Sequence, residues 1–393
     1  MKPFRFVLSR DWLFALVIAL ICGLLALIDL SPVPSAETGL HARALVTQVD
    51  NSQVRVNLIV KTEDQFLIVR LLDGPYKGQE LAVTNILTGK MELDEFYEEG
   101  QVILVEYGVK NGKPANGMAR GYYRLGLELM LIGVFVVLLI AVAGVTGLKA
   151  ALSFVFAALV LWKVFFPLVL LGYSPIPSGL ALVALLTGVI TFSVGGLSRR
   201  GIATFAGSML GVSLTCALAL WSVNAFHLHG AVRPFAETLL YAGYYDLRLT
   251  DIFIASIFIA SSGAVMDLAM DIAASMDEIQ RNHPGIGLFE HLTSGLRVGR
   301  AVIGTMTTTL LLAYSSSHIA MFLLFMAKGL PAANILNAPF VAAEVVNILV
   351  GSFGLITVAP FTALVAAFLY QAGTPGHASV QSVNAREQDS ELA

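Results

Sequence analysis

Eight apolar runs, each about as long as a lipid bilayer is thick, constrain what this chain of 393 residues can fold into. A spanning helix needs about 20 apolar residues, because each residue advances a helix by about 1.5 Å and the hydrocarbon core is about 30 Å thick. The composition agrees, since 56% of the residues are hydrophobic and only 13% are charged, which excludes an ordinary soluble domain. We therefore expect an α-helical polytopic membrane protein with about eight transmembrane helices. The runs cover 12–30, 125–147, 149–171, 178–198, 202–226, 252–276, 301–327 and 340–370.

Positively charged side chains accumulate in one of the two sets of connections, and this distribution indicates an orientation. The short loops on one side carry only Arg233, Arg248 and Lys328. Because Lys and Arg accumulate on the cytoplasmic side of membrane proteins, we expect both termini to be cytoplasmic and residues 31–124 to be extracytoplasmic. The basic residues on the side that we expect to be cytoplasmic are Lys2, Arg5, Arg10, Lys149, Arg199, Arg200, Arg281, Arg297 and Arg300.

This pattern divides the chain into four parts. Residues 1–30 form a cytoplasmic N-terminus and a first transmembrane helix, and residues 31–124 form a soluble unit. Residues 125–370 contain the other seven helices. Residues 371–393 are small and polar and contain no aromatic side chain, which predicts a disordered cytoplasmic tail.

The soluble unit has the pattern of a β domain. Short runs rich in Val, Ile and Leu alternate with turn signals such as Asp73-Gly74-Pro75 and Asn111-Gly112. Five short strands predict a small β-barrel of OB-like type, inserted between helices 1 and 2. The predicted strands are 43–49, 53–60, 66–72, 80–85 and 101–107.

The predicted barrel lacks the features of a nucleic-acid interface. OB barrels often bind nucleic acid, but this one has no basic stripe with interleaved aromatic residues. It carries an acidic patch instead, which leaves two interpretations: a structural or assembly domain, or a weak collector of cations. The patch consists of Glu92, Asp94, Glu95, Glu98 and Glu99.

Two carboxylates, Asp267 and Asp271, lie within the sixth apolar run at a spacing that places both on one helix face. An ionised Asp near the bilayer centre costs about 2.5 to 3.5 kcal/mol, so such a pair needs an explanation. In one alternative, the segment Ser261-Ser262-Gly263 interrupts the helix, and the pair carries protons or binds a cation. In the others, the pair lies at the cytoplasmic headgroups beside Arg297 or Arg300, or serves only helix packing.

A second group of polar side chains is predicted in the outer half of the helical domain. Counting residues along the helices places Lys163, His318 and Glu344 at similar depths, with Asn347 one turn after Glu344. Lys163 has two equal alternatives, an ion pair with Glu344 or an amine that extends to the headgroups. The Ser and Thr residues of the seventh run are expected to bond back to their own helix or to a neighbour. Gly207-x-x-x-Gly211 predicts a close helix crossing.

Motifs of membrane-embedded or ATP-driven enzymes are missing from the sequence. It contains no HExxH, GxGD, GxSxG or Walker A motif. Its two cysteines, Cys22 and Cys216, lie in apolar runs without metal-ligand spacing. We expect no enzymatic activity, no cofactor and no bound metal.

The chain resembles the YibE/F family over about residues 40 to 370. The resemblance implies a bacterial multi-pass inner or plasma membrane protein of a type often supposed to be a permease, and it implies no substrate. The segments that carry it are Leu72-Asp73-Gly74-Pro75-Tyr76-Lys77-Gly78, Gly144-Val145-Thr146-Gly147-Leu148-Lys149, Gly263-Ala264-Val265-Met266-Asp267 and Ser294-Gly295-Leu296-Arg297-Val298-Gly299-Arg300.

The sequence favours a membrane transporter or exporter, coupled to protons or cations, for a small solute or ion. Its alternatives are a passive channel and a non-transporting scaffold whose outer β domain binds an envelope partner. The expected partners are the lipid bilayer and that solute. A homo-oligomer is also compatible with the sequence, and nucleic acid is not expected as a partner. The candidate path residues are Asp267, Asp271, Ser261, Ser262, Lys163, His318, Glu344 and Asn347.

Overall fold

The computed structural model describes residues 10–28, 30 and 39–371. The chain divides into two compact units, one of residues 33–142 and one of residues 1–32 together with 143–393. The tail predicted at 371–393 lies, after Gln371, outside the described residues, and so does the segment before Arg10. The two units are described in turn.

The first unit is a β-barrel. Five long strands close in the order β1-β5-β6-β4-β3, with β1 also pairing with β3. All of these pairings are antiparallel except β4 with β6, and the short β2 pairs only with β3. Alternate side chains fill the interior, and Ala44, Val69, Ile103 and Val105 are each 0% exposed. The strands are β1 Leu40–Asp50, β2 Arg55–Asn57, β3 Val60–Leu71, β4 Glu80–Thr88, β5 Val102–Lys110 and β6 Lys113–Tyr122.

Four of the five predicted strands correspond to β1, β3, β4 and β5. The predicted strand at 53–60 is not one strand, since it contains the short β2, Arg55–Asn57, then a turn and the first residue of β3. Strand β6 was not predicted, because Pro114, Asn116 and two glycines interrupt its hydrophobic pattern. The turn signal before it is confirmed: Asn111 and Gly112 both have positive φ, 53° and 72°, as a two-residue type I′ hairpin requires.

The second unit is helical. Helix α2, Leu125–Val160, begins before the boundary at residue 143 and continues into this unit. A π-helical turn, Leu161–Phe165, joins α2 to α3. A single 3₁₀ turn, Gly230–Val232, follows α5. The other helices are α1 Arg10–Leu27, α3 Phe166–Leu170, α4 Pro175–Gly195, α5 Arg199–Ala225, α6 Ala236–Tyr241, α7 Leu249–Asn282, α8 Leu288–Ser316, α9 Ile319–Ala327, α10 Ala332–Asn337 and α11 Pro339–Gln371.

Fewer separate apolar spans are seen than the eight expected. Within the described residues, five helical segments are long and apolar enough to cross a membrane, and the bent pair α8–α9 makes a sixth. The apolar part of α1, Ala15–Leu27, is shorter. No loop separates the predicted helices 125–147 and 149–171, which form one helical stretch of 46 residues with non-helical backbone at Gly144 (φ 58°, ψ −130°). The five segments are Leu125–Leu170, Pro175–Ser193, Arg199–Ala225, Leu249–Asn282 and Pro339–Gln371.

Helices α5, α7 and α11 form the centre of the helical unit, where small residues allow close contact. A Cβ atom at Gly207 would lie 2.8 Å from the backbone Cα of Thr362, and one at Gly211 would lie 3.0 Å from Cβ of Val358. Both partners belong to α11, so the close crossing predicted for Gly207-x-x-x-Gly211 is confirmed. This packing fixes the positions of α7 and α11, which carry the polar residues considered next.

Candidate functional site

Helix α7 is continuous, so the alternative in which Ser261-Ser262-Gly263 interrupts it is wrong. The hydroxyl of Ser261 donates to the carbonyl oxygen of Phe258 at 3.3 Å, and that of Ser262 donates to Ile259 at 2.7 Å. Each serine therefore satisfies its own polar group on the preceding turn and leaves the backbone ladder intact. A break needs carbonyls to lose their partners, and these serines do not remove any.

The two carboxylates of α7 lie on one exposed face of that helix. Asp267 and Asp271 are both exposed, and neither forms an ion pair or hydrogen bond with another described residue. Arg297 and Arg300, the partners considered from the sequence, are exposed on α8 and also form no ion pair there. Neither the pairing with arginine nor the half-helix is therefore seen in the described part of the chain.

A broken helix does occur, but between α8 and α9. The predicted seventh helix, 301–327, bends by 67° after Ser316, with Ser317 and His318 at the break. The Ser317 hydroxyl donates to the Tyr314 carbonyl oxygen at 2.8 Å and lies 2.9 Å from Nδ1 of His318. The break therefore presents an imidazole together with a hydroxyl at the point where the helical ladder stops.

Next to this break lies Glu344, which is only 2% exposed on α11. Its Oε2 lies 3.2 Å from Nη1 of Arg233 and 3.6 Å from Nδ1 of His318. Its Oε1 is buried and has no hydrogen-bond partner among the residues that the structure describes. The guanidinium of Arg233 also lies over the Phe253 ring, with 4.8 Å between Cζ and the ring centroid. We call Arg233, His318 and Glu344 the carboxylate cluster.

The carboxylate cluster brings together two of the three ionisable residues that depth counting placed at similar depths. His318 and Glu344 come together, and Asn347, one turn after Glu344, is 7% exposed beside them on α11. Lys163 does not join them, and it forms no ion pair or hydrogen bond with another described residue. Lys163 lies instead in the π-helical turn that precedes Pro167. The wider turn is expected there, because a proline has no N–H to donate and its ring clashes with the carbonyl four residues earlier.

The hydroxyl-rich stretch of α8 has a structural explanation. The hydroxyls of Thr305, Thr307, Thr308 and Thr309 all donate to carbonyl oxygens three or four residues earlier in the same helix. This is the behaviour expected of threonines in a spanning helix. These residues therefore add no free polar groups to the site.

A cavity of about 530 Å³ opens beside the carboxylate cluster. Arg233 is the one charged residue in its lining, and Ser256, Tyr314 and Asn347 are the polar ones. The other lining residues include Phe235 and Phe253, so the walls are largely apolar. Pockets of this kind, apolar with a few convergent polar groups, are the usual form of small-molecule sites.

A second cavity, of about 500 Å³, adjoins the first. The two share the residues Leu239, Ile252, Ser256 and Ala260. The remaining walls of the second cavity are apolar and include Phe165 and Phe166, next to the π-helical turn. No ionisable side chain lines it.

Two of the five carboxylates in the acidic patch of the barrel, Asp94 and Glu95, bind to groups of the barrel's own unit. Asp94 accepts hydrogen bonds from the backbone and hydroxyl of Thr88 and from the backbone of Gly89, at 2.6 to 3.0 Å. Burial alone would raise the pKa of Asp94, but these hydrogen bonds outweigh it and lower the pKa below its usual range. Glu95 pairs with Arg124 at 2.6 Å and accepts from the backbone N–H of Tyr122 at 2.7 Å.

This arrangement leaves little in the barrel that could bind a metal. Burial, and then the nearby carboxylate of Glu95, raise the pKa of Tyr97, so its hydroxyl stays protonated and donates to Glu95 at 3.2 Å. Across the described residues, no group of three His, Cys, Asp or Glu side chains is placed to hold a metal ion. Of the two interpretations of the patch, a structural role is the one supported by Asp94 and Glu95.

Sequence reasoning missed Arg233. It lies in the connection between α5 and α6, and its position in the sequence indicates only a charge that bears on orientation. One signal was available, since Arg233 is followed by Pro234 and Phe235 in a connection between two apolar runs. Phe235 has left-handed backbone (φ 60°), which is uncommon for a bulky residue and is often found at binding sites.

The long apolar helices, preceded by a five-stranded barrel, indicate a multi-pass membrane protein. Residues 131–372 match the family model described as YibE/F-like protein, and residues 41–122 match the model of the YibE/F family N-terminal domain. The chain therefore belongs to the YibE/F family, and the resemblance seen in the sequence is confirmed. Comparisons with curated proteins and with solved structures gave no match.

Proposed function

We propose that this protein is a secondary transporter of the bacterial plasma membrane, in which the carboxylate cluster binds a proton and the adjoining cavity binds a solute. The proposal includes about eight membrane crossings, cytoplasmic termini and an extracytoplasmic barrel, as the distribution of Lys and Arg favours. It also includes an OB-like barrel, since a closed five-stranded Greek-key barrel is the architecture of that fold.

The observation that carries the proposal is the broken helix α8–α9 beside the buried carboxylate of Glu344. In many transporters, discontinuous helices lie at the substrate or ion site, because their ends provide backbone groups that no longer bond within the helix. Ionisable residues inside membrane domains are rare and commonly serve proton or ion pathways. Here both features meet, with Nδ1 of His318 3.6 Å from Oε2 of Glu344.

Asp267 and Asp271 remain in the proposal as a second ionisable position. An exposed pair of carboxylates on a spanning helix needs water or another polar surface beside it. A water-filled path along α7 would provide this, and so would a second copy of the chain in a homo-oligomer. Helix α7 has no break beside these two aspartates, so the pair has less structural support as an ion site than Glu344 has.

The proposal can be tested without knowing the solute, by measuring how a position in the cavity reacts with a membrane-impermeant maleimide. Ser256 lines both cavities and is exposed, so Ser256→Cys is the reporter. The background carries Cys22→Ala and Cys216→Ala, because those are the two cysteines of the chain. Because a maleimide reacts with the thiolate, every labelling rate is taken relative to that of an exposed control cysteine at the same pH. We expect this relative rate from the barrel side to change with pH and to lose that dependence in Glu344→Gln, since protonation of Glu344 would shift the balance between two states.

Ser52→Cys, exposed on the barrel, serves as the control whose labelling should not depend on Glu344. A passive channel predicts that Ser256→Cys reacts from both sides in one state. A scaffold predicts a constant labelling rate that Glu344→Gln does not alter. Either result would contradict the transporter proposal.

A further inference from the structure

We propose that the solute is an amphiphilic organic anion, with its anionic head on Arg233 and its apolar body in the adjoining apolar cavity. We further infer that the anion competes with Glu344 for Arg233. Transport of this anion rests on the proposed function, whereas its binding does not.

The charge of the cavity points to an anion. Arg233 is the only side chain in the lining that carries a permanent charge. Glu344 and His318 are not part of the lining. A cation would meet a guanidinium with no facing carboxylate, and a neutral solute would leave the guanidinium without a new partner. Arg is also the side chain best suited to bind carboxylates or sulfonates, because its donors form a planar fork.

The guanidinium has donors available for such a head. Arg233 contacts Glu344 through Nη1 alone, at 3.2 Å, and none of its other donors hydrogen bonds to a described residue. Its side chain is 25% exposed, so it is reached from the cavity. Ser256, Tyr314 and Asn347 provide neutral polar groups in the same lining.

The apolar body is inferred from the second cavity. That cavity, about 500 Å³, has apolar walls and joins the first at Leu239, Ile252, Ser256 and Ala260. A molecule with its head at Arg233 can therefore place an alkyl or aryl group against Phe165 and Phe166. Burying apolar surface there favours binding in proportion to the area removed from water.

Glu344 links the anion to a proton. With Glu344 ionised, Arg233 already has a carboxylate partner, and a second anion would meet the charge of the first. When a proton binds to Glu344, that charge is removed and Arg233 is free to bind the solute. The other titratable groups around Glu344 are His318 at the helix break and Tyr314 on α8, and a proton on His318 would favour the anion as well. One proton and one anion then bind together.

The test is isothermal titration calorimetry of hexanesulfonate against the full chain in phosphatidylcholine nanodiscs, with empty nanodiscs as the blank. A sulfonate stays ionised throughout, so any pH dependence comes from the protein. We expect affinity to rise as pH falls, and Glu344→Gln to bind about tenfold more tightly at neutral pH with a weaker pH dependence, because only His318 then titrates beside Arg233. Methanesulfonate and hexanol should each bind at least about tenfold more weakly, because one lacks the apolar body and the other lacks the charge.

Arg233→Gln should abolish binding, but it leaves Glu344 buried without its cation and can unfold the site. The double variant Arg233→Gln with Glu344→Gln removes both charges together and leaves no unpaired buried charge. It therefore tests the same loss of binding in a chain that we expect to fold. Arg248→Gln is the matched control, since Arg248 is an exposed arginine of the connection between α6 and α7 that pairs with Asp251 and does not line the cavity. It should leave binding unchanged.

The proposal is overturned if the double variant binds hexanesulfonate like the unmodified chain, if Glu344→Gln binds no more tightly, or if methanesulfonate binds equally well. Its failure can be told apart from failure of the proposed function. Loss of hexanesulfonate binding with pH-dependent labelling of Ser256→Cys would reject the anion and keep the transporter. Binding as expected with constant labelling would keep the anion and reject the transporter.

Discussion

Glu344 has surroundings that packing alone does not explain. Its side chain is 3% exposed, and one carboxylate oxygen faces Arg233 and His318 while the other has no partner. A buried acceptor left without a hydrogen bond costs about 1 to 3 kcal/mol. Replacing a buried ion pair with apolar side chains is often neutral or stabilising, so stability gives no reason to keep this one. Among single residues, Glu344 is therefore the strongest candidate for a functional role.

Asp94 illustrates the opposite case, a carboxylate with a purely structural role. Hydrogen bonds from Thr88 and Gly89 lower the folded-state pKa of Asp94 despite its partial burial. A lowered pKa means that the ionised form stabilises the fold above the unfolded value, about 3.9, and that this stabilisation is lost as pH falls through the folded value. We expect Asp94→Asn to weaken the barrel more at about pH 7 than at about pH 3, because part of the stabilisation is lost once the pH falls below the unfolded value.

Hydrogen exchange of β4 amides in the full chain measures this difference directly. The matched control is Glu92→Gln, since Glu92 is an exposed carboxylate two residues away. It should leave the exchange rates unchanged at both pH values. An equal effect of Asp94→Asn at both pH values would show that the charge of Asp94 is not responsible.

At the scale of elements, strands were easier to predict than the breaks in helices. The strands β1, β3, β4 and β5 alternate between buried and exposed positions, and this local pattern is visible in the sequence. The break after Ser316 is not visible, because it interrupts an apolar run without a proline or glycine at the break. It coincides with the contact between His318 and Glu344, which are 26 positions apart in sequence and meet only in the folded chain.

The helix break predicted in α7 failed for a related physical reason. Ser261, Ser262 and Gly263 are poor helix formers in isolation, but intrinsic preferences amount to 1 kcal/mol or less per residue. Ser261 is 0% exposed, and its neighbours Phe258 and Val265 are also fully buried in the core. Packing of α7 against α5 and α11 therefore outweighs the local preference. Depth counting did bring His318 and Glu344 together, because length along a helix needs no tertiary information.

Two glycines test the packing of these helices. A Cβ atom at Gly207 would collide with the Thr362 side chain and lie 2.8 Å from its backbone, whereas Gly263 has nothing within 4 Å. We expect Gly207→Ala to destabilise the helical unit by about 1 to 3 kcal/mol, because the backbone of α11 must move. Gly263→Ala should leave stability unchanged or raise it by up to about 1 kcal/mol, since alanine is the better helix former.

Thermal unfolding of both variants in detergent, followed by tryptophan fluorescence, compares them under one condition. Trp221 lies on α5 with Gly207 and reports on the same helix. If the two variants unfold at the same temperature, the close contact between α5 and α11 does not contribute to stability.

At the scale of the whole molecule, the open question is how often Leu125–Leu170 crosses the membrane. Its 46 residues span about 69 Å as a straight helix, more than twice the hydrocarbon thickness of about 30 Å. The segment is therefore long enough for two crossings. Gly144, whose backbone is non-helical, is the place within it where a reversal would be least costly.

The charges along the chain favour two crossings. With two, Arg199, Arg200, Arg297 and Arg300 all fall on the side opposite the barrel. With one, every later connection changes sides, and these arginines lie on the barrel side. The positive-inside rule then conflicts with an extracytoplasmic barrel. A separation at residue 148, between the predicted helices 125–147 and 149–171, is not needed for two crossings, because the reversal can lie at Gly144.

Single cysteines on either side of α4 decide between the two numbers. Tyr173 precedes α4 and Leu197 follows it, and their exposed fractions are 60% and 70%. In the background with Cys22→Ala and Cys216→Ala, two crossings predict that an impermeant maleimide added to intact cells labels Tyr173→Cys and not Leu197→Cys. One crossing predicts the reverse, provided that Ser52→Cys on the barrel is labelled. Permeabilised cells should label all three, which shows that a protected cysteine was inaccessible rather than unreactive.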